Sequence, residues 1–308
     1  MAVFNSKQIS FNPHNCINLK KPFPRLCRNC IINCPHGALS ETKEIFRERC
    51  TECGLCMAVC PSDGFLDKDL ERLGRHLFAS PQIIINCPMA EPLGYEIACL
   101  GMLDQDAWTS LMLLANSKEV RIITGDCGDC EDKQACSVSV GYLKELLKAQ
   151  FQLPQMKIEI RPDRNNVNPE GSKNNNKMSL RAEGKQRIKS ILSFMTPEED
   201  SNIPKTRQWL MLALQNNPSN KIPFKALKAK DDCTGCGVCS KICPQEALKM
   251  MTKDDKIRLV YEPLKCVHCL RCVDICGTES LIFENMKLSY KFMTGKILLC
   301  EKTTNNNK

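Results

Sequence analysis

The stretch CTGCGVCSKICP at residues 233–244, followed by CVHCLRCVDIC at 266–276, sets three cysteines two residues apart and a fourth after three more, twice in succession. The same spacing returns near the other end as CTECGLCMAVCP at 50–61. It returns less regularly as CRNCIINCP at 27–35, where Cys16 stands further back across the ten-residue segment INLKKPFPRL. Sixteen of the 22 cysteines fall on this grid. The residues after each fourth cysteine repeat as well: Pro-His-Gly-Ala38-Leu39, Pro-Ser-Asp-Gly64-Phe65, Pro-Gln-Glu-Ala247-Leu248 and Gly-Thr-Glu-Ser280-Leu281. In each, a small residue precedes an apolar one, as a turn into a packed position requires.

The spacing selects among metals. Three cysteines two residues apart wrap a tight loop round an iron-sulfur cube, whose negative charge is stabilised by backbone N–H groups turned inward. A proline after the fourth fixes φ and offers no donor, which ends the loop. Zinc prefers two C-x2-C pairs separated by a longer loop, and a third cysteine two residues on has no place in that tetrahedron. A disulfide framework needs an oxidising compartment, whereas Met1–Ser10 lacks the apolar core of a secretory signal. No C-x-x-C-H occurs to attach a c-type haem.

The pattern resembles bacterial two-cluster ferredoxins, here as two modules in a polyferredoxin-like chain. The resemblance implies electron transfer, with the fourth cysteine of each motif serving the neighbouring cluster. Carried over residue by residue, it gives Cys16, Cys27, Cys30 and Cys60 to a first 4Fe-4S cluster and Cys50, Cys53, Cys56 and Cys34 to a second. Cys233, Cys236, Cys239 and Cys276 take a third, with Cys266, Cys269, Cys272 and Cys243 for a fourth. Two departures stand out. The segment between Cys16 and Cys27 must fold back over its cluster, the alternative being a three-iron site without Cys16. Gly277 replaces the expected proline, loosening a turn without removing a ligand.

Between the modules the hydrophobic period changes. Gln82–Asn86, Val120–Thr124 and Met156–Ile160 read as strands, whereas 106–116 and 138–150 carry apolar residues at helical spacing. Strand and helix in alternation predict a small α/β domain with a parallel sheet. Its cysteines fall at strand ends, where such sheets bind ligands: Cys87, Cys99, Cys127 and Cys130, with Cys136 as an extra candidate. Through Cys99-Leu-Gly-Met-Leu-Asp104 and Gly125-Asp-Cys127-Gly-Asp-Cys130, this block resembles the delta subunits of methyl-viologen-reducing hydrogenases. That resemblance implies a 2Fe-2S cluster, against which a redox-active dithiol and half a zinc site stay open.

The predicted class is therefore α+β, two ferredoxin-like modules flanking a small α/β domain. The expected divisions are 1–80 for the N-terminal module, 81–160 for the central domain, 161–220 for a linker with helices and 221–300 for the C-terminal module. Within the linker a helix is predicted over 177–194, and the apolar run Trp209–Leu214 is expected to dock on the C-terminal module. Each module is poor in large apolar side chains, so its clusters must act as staples.

A formal charge of +8 would elsewhere suggest nucleic acid. Four cubes with sixteen thiolates carry about −8, so the basicity is mostly a counter-charge. The cluster Lys20, Lys21, Arg25 and Arg28 reads as a solvated loop offsetting that charge or as a dock for an acidic redox partner. Aromatic residues do not interleave with the basic ones as single-strand binding requires. No apolar run reaches 18 residues, and neither a dinucleotide nor a phosphate-loop fingerprint occurs. His268 reads as a solvent-facing filler and Cys300 as a spare thiol. The expectation is a cytoplasmic electron carrier of an anaerobe, partnered by a hydrogenase, dehydrogenase or flavoprotein. An oxidoreductase with its own substrate site at the central cysteines is the alternative.

Overall fold

The computed structural model describes residues 9–67, 69–148, 156–162 and 202–303, mixing helices and strands throughout. The helix predicted over 177–194 lies outside the described residues. The chain forms two compact units. The first comprises Met1–Phe11, Arg28–Cys60 and Phe65–Glu198, and the second Asn12–Cys27, Pro61–Gly64 and Glu199–Lys308.

The first unit contains the central sheet. Strands β1 (Ser10–Phe11) and β2 (Phe65–Leu66) form a two-residue antiparallel pair, with the Phe11 and Phe65 rings 5.3 Å apart. Helix α1 (Asp69–Ala79) comes next and buries Leu70, Leu73 and Leu77 at helical spacing. Then come β3 (Ile83–Asn86), β4 (Tyr95–Glu96), α2 (Gln105–Leu114), β5 (Val120–Thr124), α3 (Lys133–Lys148) and β6 (Met156–Ile160). The four strands pair in parallel in the order β4-β3-β5-β6. Ile83, Ile85, Val120, Ile122 and Ile123 are fully buried, which is why β3 and β5 read as continuous apolar runs rather than alternating ones. At the edge, β6 leaves Ile158 and Ile160 exposed.

Asp104 starts α2 by accepting a hydrogen bond from Ala107 N at 2.8 Å, an N-cap that satisfies an otherwise orphaned donor. Trp108 on that helix is wholly buried, and its indole N–H donates to Ser139 Oγ (2.8 Å), which in turn donates to Leu103 O (2.7 Å). This chain of hydrogen bonds locks α3 against α2 and fixes where the first turn of α3 lies.

The second unit begins with a single helical turn, Ile17–Lys20, directly after Cys16. Helix α4 (Lys205–Asn216) carries the apolar run Trp209–Leu214, all of it buried. Arg207 on the same helix is buried and donates to the carbonyls of Pro263, Leu264 and Cys266, so α4 seats on the segment that opens the last cysteine loop. Strand β7 (Ile222–Ala229) pairs antiparallel over its whole length with β10 (Leu281–Leu288). Strands β8 (Leu248–Lys253) and β9 (Lys256–Tyr261) make a hairpin turned by Asp254 and Asp255, both left-handed as a two-residue type I′ turn demands. A last strand, β11 (Ile297–Thr303), adds to β9.

Candidate metal centres

The three regular cysteine loops turn in the same way. Left-handed residues flank the middle cysteine: Glu52 (φ 63°) and Gly54 (φ 76°), Gly235 (72°) and Gly237 (78°), His268 (52°) and Leu270 (63°). This repeated conformation curls the backbone into a concave loop with inward N–H groups. The irregular motif departs here, because Arg28, after Cys27, has φ −127°. All four motifs agree again three residues past the fourth cysteine, where Gly37, Asp63, Glu246 and Glu279 are left-handed at 52–56°. Beyond that turn Ala38, Leu39, Phe65, Ala247, Leu248, Ser280 and Leu281 are buried, as the repeat requires.

The turn also returns a donor to the fourth thiol. Ala38 N–H donates to Cys34 Sγ and Ala247 N–H to Cys243 Sγ, each at 3.3 Å. Cys276 sits below the ordinary thiol range. Burial works the other way there but is outweighed by the Thr278 hydroxyl and the backbone N–H groups of Ser280, Thr278 and Leu281.

Two cavities gather the thiols in crossed sets. Cys34, Cys50, Cys53 and Cys56 line one, about 380 Å³ of space partly open to solvent. Cys243, Cys266, Cys269 and Cys272 line the other, about 350 Å³. In both, the fourth cysteine of one motif joins the first three of the next. Burial pushes the Cys53 thiol up to about 11 and holds Cys56 well above the ordinary thiol range, with neighbouring thiols adding to the effect on Cys56. Four soft sulfur donors round one apolar space suit an iron-sulfur cluster, whose binding displaces the thiol protons. The Tyr261 hydroxyl is buried on the second cavity and makes no regular hydrogen bond among the described residues. Burial pushes the Cys266 thiol up to about 11, and the Tyr261 hydroxyl pulls it the other way. An O–H turned toward a thiol-lined space is a donor suited to a cluster sulfur.

The other grid cysteines vary in burial. Cys239 is pushed up to about 11 by burial, with Cys233 and Cys236 contributing. In the second unit Cys16 is buried and Cys27 half-buried, and in the first Cys30 is buried and Cys60 half-buried. Cys300 is no isolated thiol, because on β11 its Sγ–H lies 3.5 Å from the carbonyl of Cys233. Nor is His268 a solvent-facing filler: its ring packs between Phe224 and Phe283, and Nε2–H donates to Lys225 O at 2.7 Å.

In the central domain Cys87 stands just after β3, and Cys127 and Cys130 just after β5. The strand order reverses between those two strands, which makes this the switch point of the sheet. Gly125 N–H points at Cys87 Sγ (3.5 Å). Cys136, in the first turn of α3, lies 3.4 Å from Cys127, sulfur to sulfur. Burial pushes its thiol up to about 12, and Cys127, Cys87 and Cys130 push in the same direction. Cys99 is buried, accepts from Gly101 N–H at 3.3 Å, and has Cys136 and Cys53 among the groups that raise it. The structure thus adds Cys136 to the four cysteines singled out by strand-end position.

One carboxylate joins this region to the Cys50–Cys56 loop. Asp132, two residues after Cys130, accepts from Thr51 Oγ1 at 2.7 Å and from His36 Nε2 at 2.8 Å. Thr51 lies between two grid cysteines and His36 two past another. The packing alongside leaves no room for side chains: a Cβ on Gly54 would stand 2.5 Å from Met102 Cβ, and one on Gly101 2.8 Å from Ala135 Cβ and 3.0 Å from Cys53 O. Sequence reasoning missed this joint, whose partners are 81 and 96 residues apart.

Comparison with known proteins agrees with this geometry. A 4Fe-4S dicluster domain matches residues 232–280 and a 4Fe-4S binding domain residues 43–64. The chain is 34% identical over 74 residues (21% of this chain, 42% of the relative) to an uncharacterized polyferredoxin-like protein of Methanocaldococcus jannaschii. It is 47% identical over 38 residues (11% and 14%) to a subunit of the ion-translocating oxidoreductase complex of Methanosarcina acetivorans. Over 35 residues (11% and 43%) it is 43% identical to pyruvate synthase subunit PorD of Methanothermobacter marburgensis. The chain thus spans less than half the length of these relatives. No solved structure matches it significantly. Two stretches of the chain thus match 4Fe-4S ferredoxin-type domains, and the relatives are a polyferredoxin-like protein and subunits of redox complexes. No helix among the described residues is long and apolar enough to cross a membrane.

Proposed function

We propose that the chain relays single electrons with four 4Fe-4S clusters and a further centre in the central domain, as a carrier or a non-catalytic subunit of a redox complex. The observation that carries this reading is the pair of cavities, each lined by four cysteines in the crossed ferredoxin arrangement. Cys50, Cys53, Cys56 and Cys34 would hold the second cluster and Cys266, Cys269, Cys272 and Cys243 the fourth. By the same repeat, Cys233, Cys236, Cys239 and Cys276 would hold the third, and Cys16, Cys27, Cys30 and Cys60 the first. A bound cube supplies one-electron redox chemistry. The protein's part is to fix the thiolates, direct N–H and O–H donors at sulfur, and exclude water.

For the central centre the geometry favours Cys87, Cys127, Cys130 and Cys136 as holders of a 2Fe-2S cluster, with Cys99 on the side toward Cys53. The Asp132 joint would hold that centre and the second cluster in fixed register, the condition for electron exchange between them. The relatives named as parts of an oxidoreductase complex and a synthase support a redox partner protein of that kind.

A second reading rests on the 3.4 Å contact between Cys127 and Cys136, which suits a dithiol that closes to a disulfide with loss of two electrons and two protons to an acceptor. Anaerobic purification decides both questions. About 16 irons per chain are expected from four cubes and about 18 with a 2Fe-2S centre, whereas stoichiometric zinc with negligible iron overturns the whole reading. Replacing Cys127 and Cys130 together with serine removes one spectroscopic centre if the site is iron-sulfur. If iron and every iron-sulfur signal stay unchanged while a two-electron thiol couple is lost, the dithiol takes its place.

A further inference from the structure

The segment between Cys16 and Cys27 is the sharpest break in the cysteine grid, and it belongs to the same compact unit as the C-terminal module. The side chain that receives it is Arg271, which stands between Cys269 and Cys272 and is only 2% exposed. Its guanidinium donates to Lys21 O (2.6 Å), Ile17 O (2.9 Å) and Asn18 Oδ1 (2.9 Å), and it lies 5.1 Å from the centre of the Phe23 ring. All four partners lie within the insertion.

Asn18 passes the constraint on. Its Oδ1 accepts from Cys27 N–H and its Nδ2–H donates to Cys27 O, both at 2.9 Å, so one side-chain amide clasps the backbone of Cys27 from both sides. The cations of the insertion are engaged in the same way. Lys20 Nζ donates to Gln245 Oε1 (2.7 Å) and Asn202 Oδ1 (2.8 Å), Lys21 Nζ to Lys241 O (2.9 Å), and Arg25 pairs with Asp274. Lys241, Gln245 and Asp274 all lie in or beside the C-terminal cysteine loops. Three of the cluster's four cations thus have partners within the unit, while Arg25 and Arg28 stay exposed to solvent as a charge-offsetting loop requires.

A buried guanidinium is costly unless its donors are met, and here they meet the carbonyls of one segment in a fixed fork that lysine cannot reproduce. We infer that Arg271 is a positioning residue for the first cluster: through Asn18 it sets Cys27, and through Ile17 O it sets the turn that begins at Cys16. The insertion is then a splice that hangs two ligands of an N-terminal motif on the ligand loop of a C-terminal one. This rests on the proposed reading of Cys16 and Cys27 as ligands.

The test uses the full chain, purified without oxygen, as Arg271→Lys and, because Arg271 neighbours its own cysteines, as Asn18→Ala separately. Both are expected either to lose one of about 16 irons and give a three-iron electron paramagnetic resonance signal on oxidation, or to lose all four irons and the signal of the first cube, while the C-terminal pair keeps its spectrum. Full iron with an unchanged spectrum in both variants overturns the inference. So does an effect of Arg271→Lys confined to the C-terminal pair with Asn18→Ala silent, since Arg271 would then serve only its own loop. Cys16→Ser and Cys27→Ser isolate the premise: if these keep full iron, the ligand reading fails whatever Arg271 does.

Discussion

The regular cysteine loops of the two ferredoxin-type modules reach the same conformation from unequal scaffolds. In the C-terminal module the cysteine loops grow out of long strands: β7 and β10 pair over eight residues, and β8 and β9 close through a two-residue turn. Among the described residues the N-terminal motifs have only the two-residue pair β1–β2 and an isolated bridge between Leu39 and Ile45. Their Cys50–Cys56 loop leans on the central domain through Asp132 and through the close approach of Gly54 and Gly101 to their neighbours. The difference teaches that the cysteine grid specifies the loops but not what holds them. One module supplies its own sheet, and the other borrows a neighbouring domain.

Removing iron should separate the two most strongly. With an anaerobic chelator, amide hydrogen exchange is expected to rise most across 28–60, where no long strand orders the chain among the described residues. The amides of β7–β10 should keep partial protection and those of β3 and β5 nearly all of theirs. Equal loss in both modules would mean that the longer strands contribute no independent stability.

Next in size is the joint itself. Asp132→Ala leaves the Thr51 hydroxyl and His36 without their acceptor, at a cost of about 1–3 kcal/mol. Chemical denaturation should register this in the first unit alone, and a matching loss in the second would show that the joint is not local.

A finer distinction lies in the C-terminal cavity. Tyr261→Phe removes an O–H donor that should favour the reduced form of the proposed fourth cluster. If the bond is about 1 kcal/mol stronger to the reduced form, its loss lowers the one-electron potential by about 40 mV, which a redox titration resolves. No change would place the hydroxyl away from sulfur. Smallest is Gly277→Ala. An added Cβ there meets nothing within 4 Å, so the substitution should stabilise the module by about 0.4–1 kcal/mol by restricting the unfolded chain. A destabilised variant would mean that this position needs the freedom that the other three motifs gave up for proline.

Much of this was legible in the sequence because it is periodic. The cysteine spacing, the small-then-apolar pair after each fourth cysteine, and the apolar runs of β3 and β5 all repeat or alternate at the local scale where sequence patterns operate. Cys136 was visible only as an extra candidate, since its approach to Cys127 depends on where α3 begins, and that is set by Trp108 and Ser139. Asp132 and Arg271 were illegible for a different reason. Each is an ordinary charged residue whose role comes from partners 81 to 254 residues away.

The span between Arg271 and Ile17 also has a consequence in time. These hydrogen-bonded residues are 254 positions apart, so on a ribosome adding roughly 5–20 residues per second the insertion emerges about 13–50 s before the arginine that seats it. Cys16 and Cys27 are thus made well before the residue that seats them. Two thiols wait for an arginine made long after them, and the centre proposed for them would take its final shape only once residue 271 has emerged.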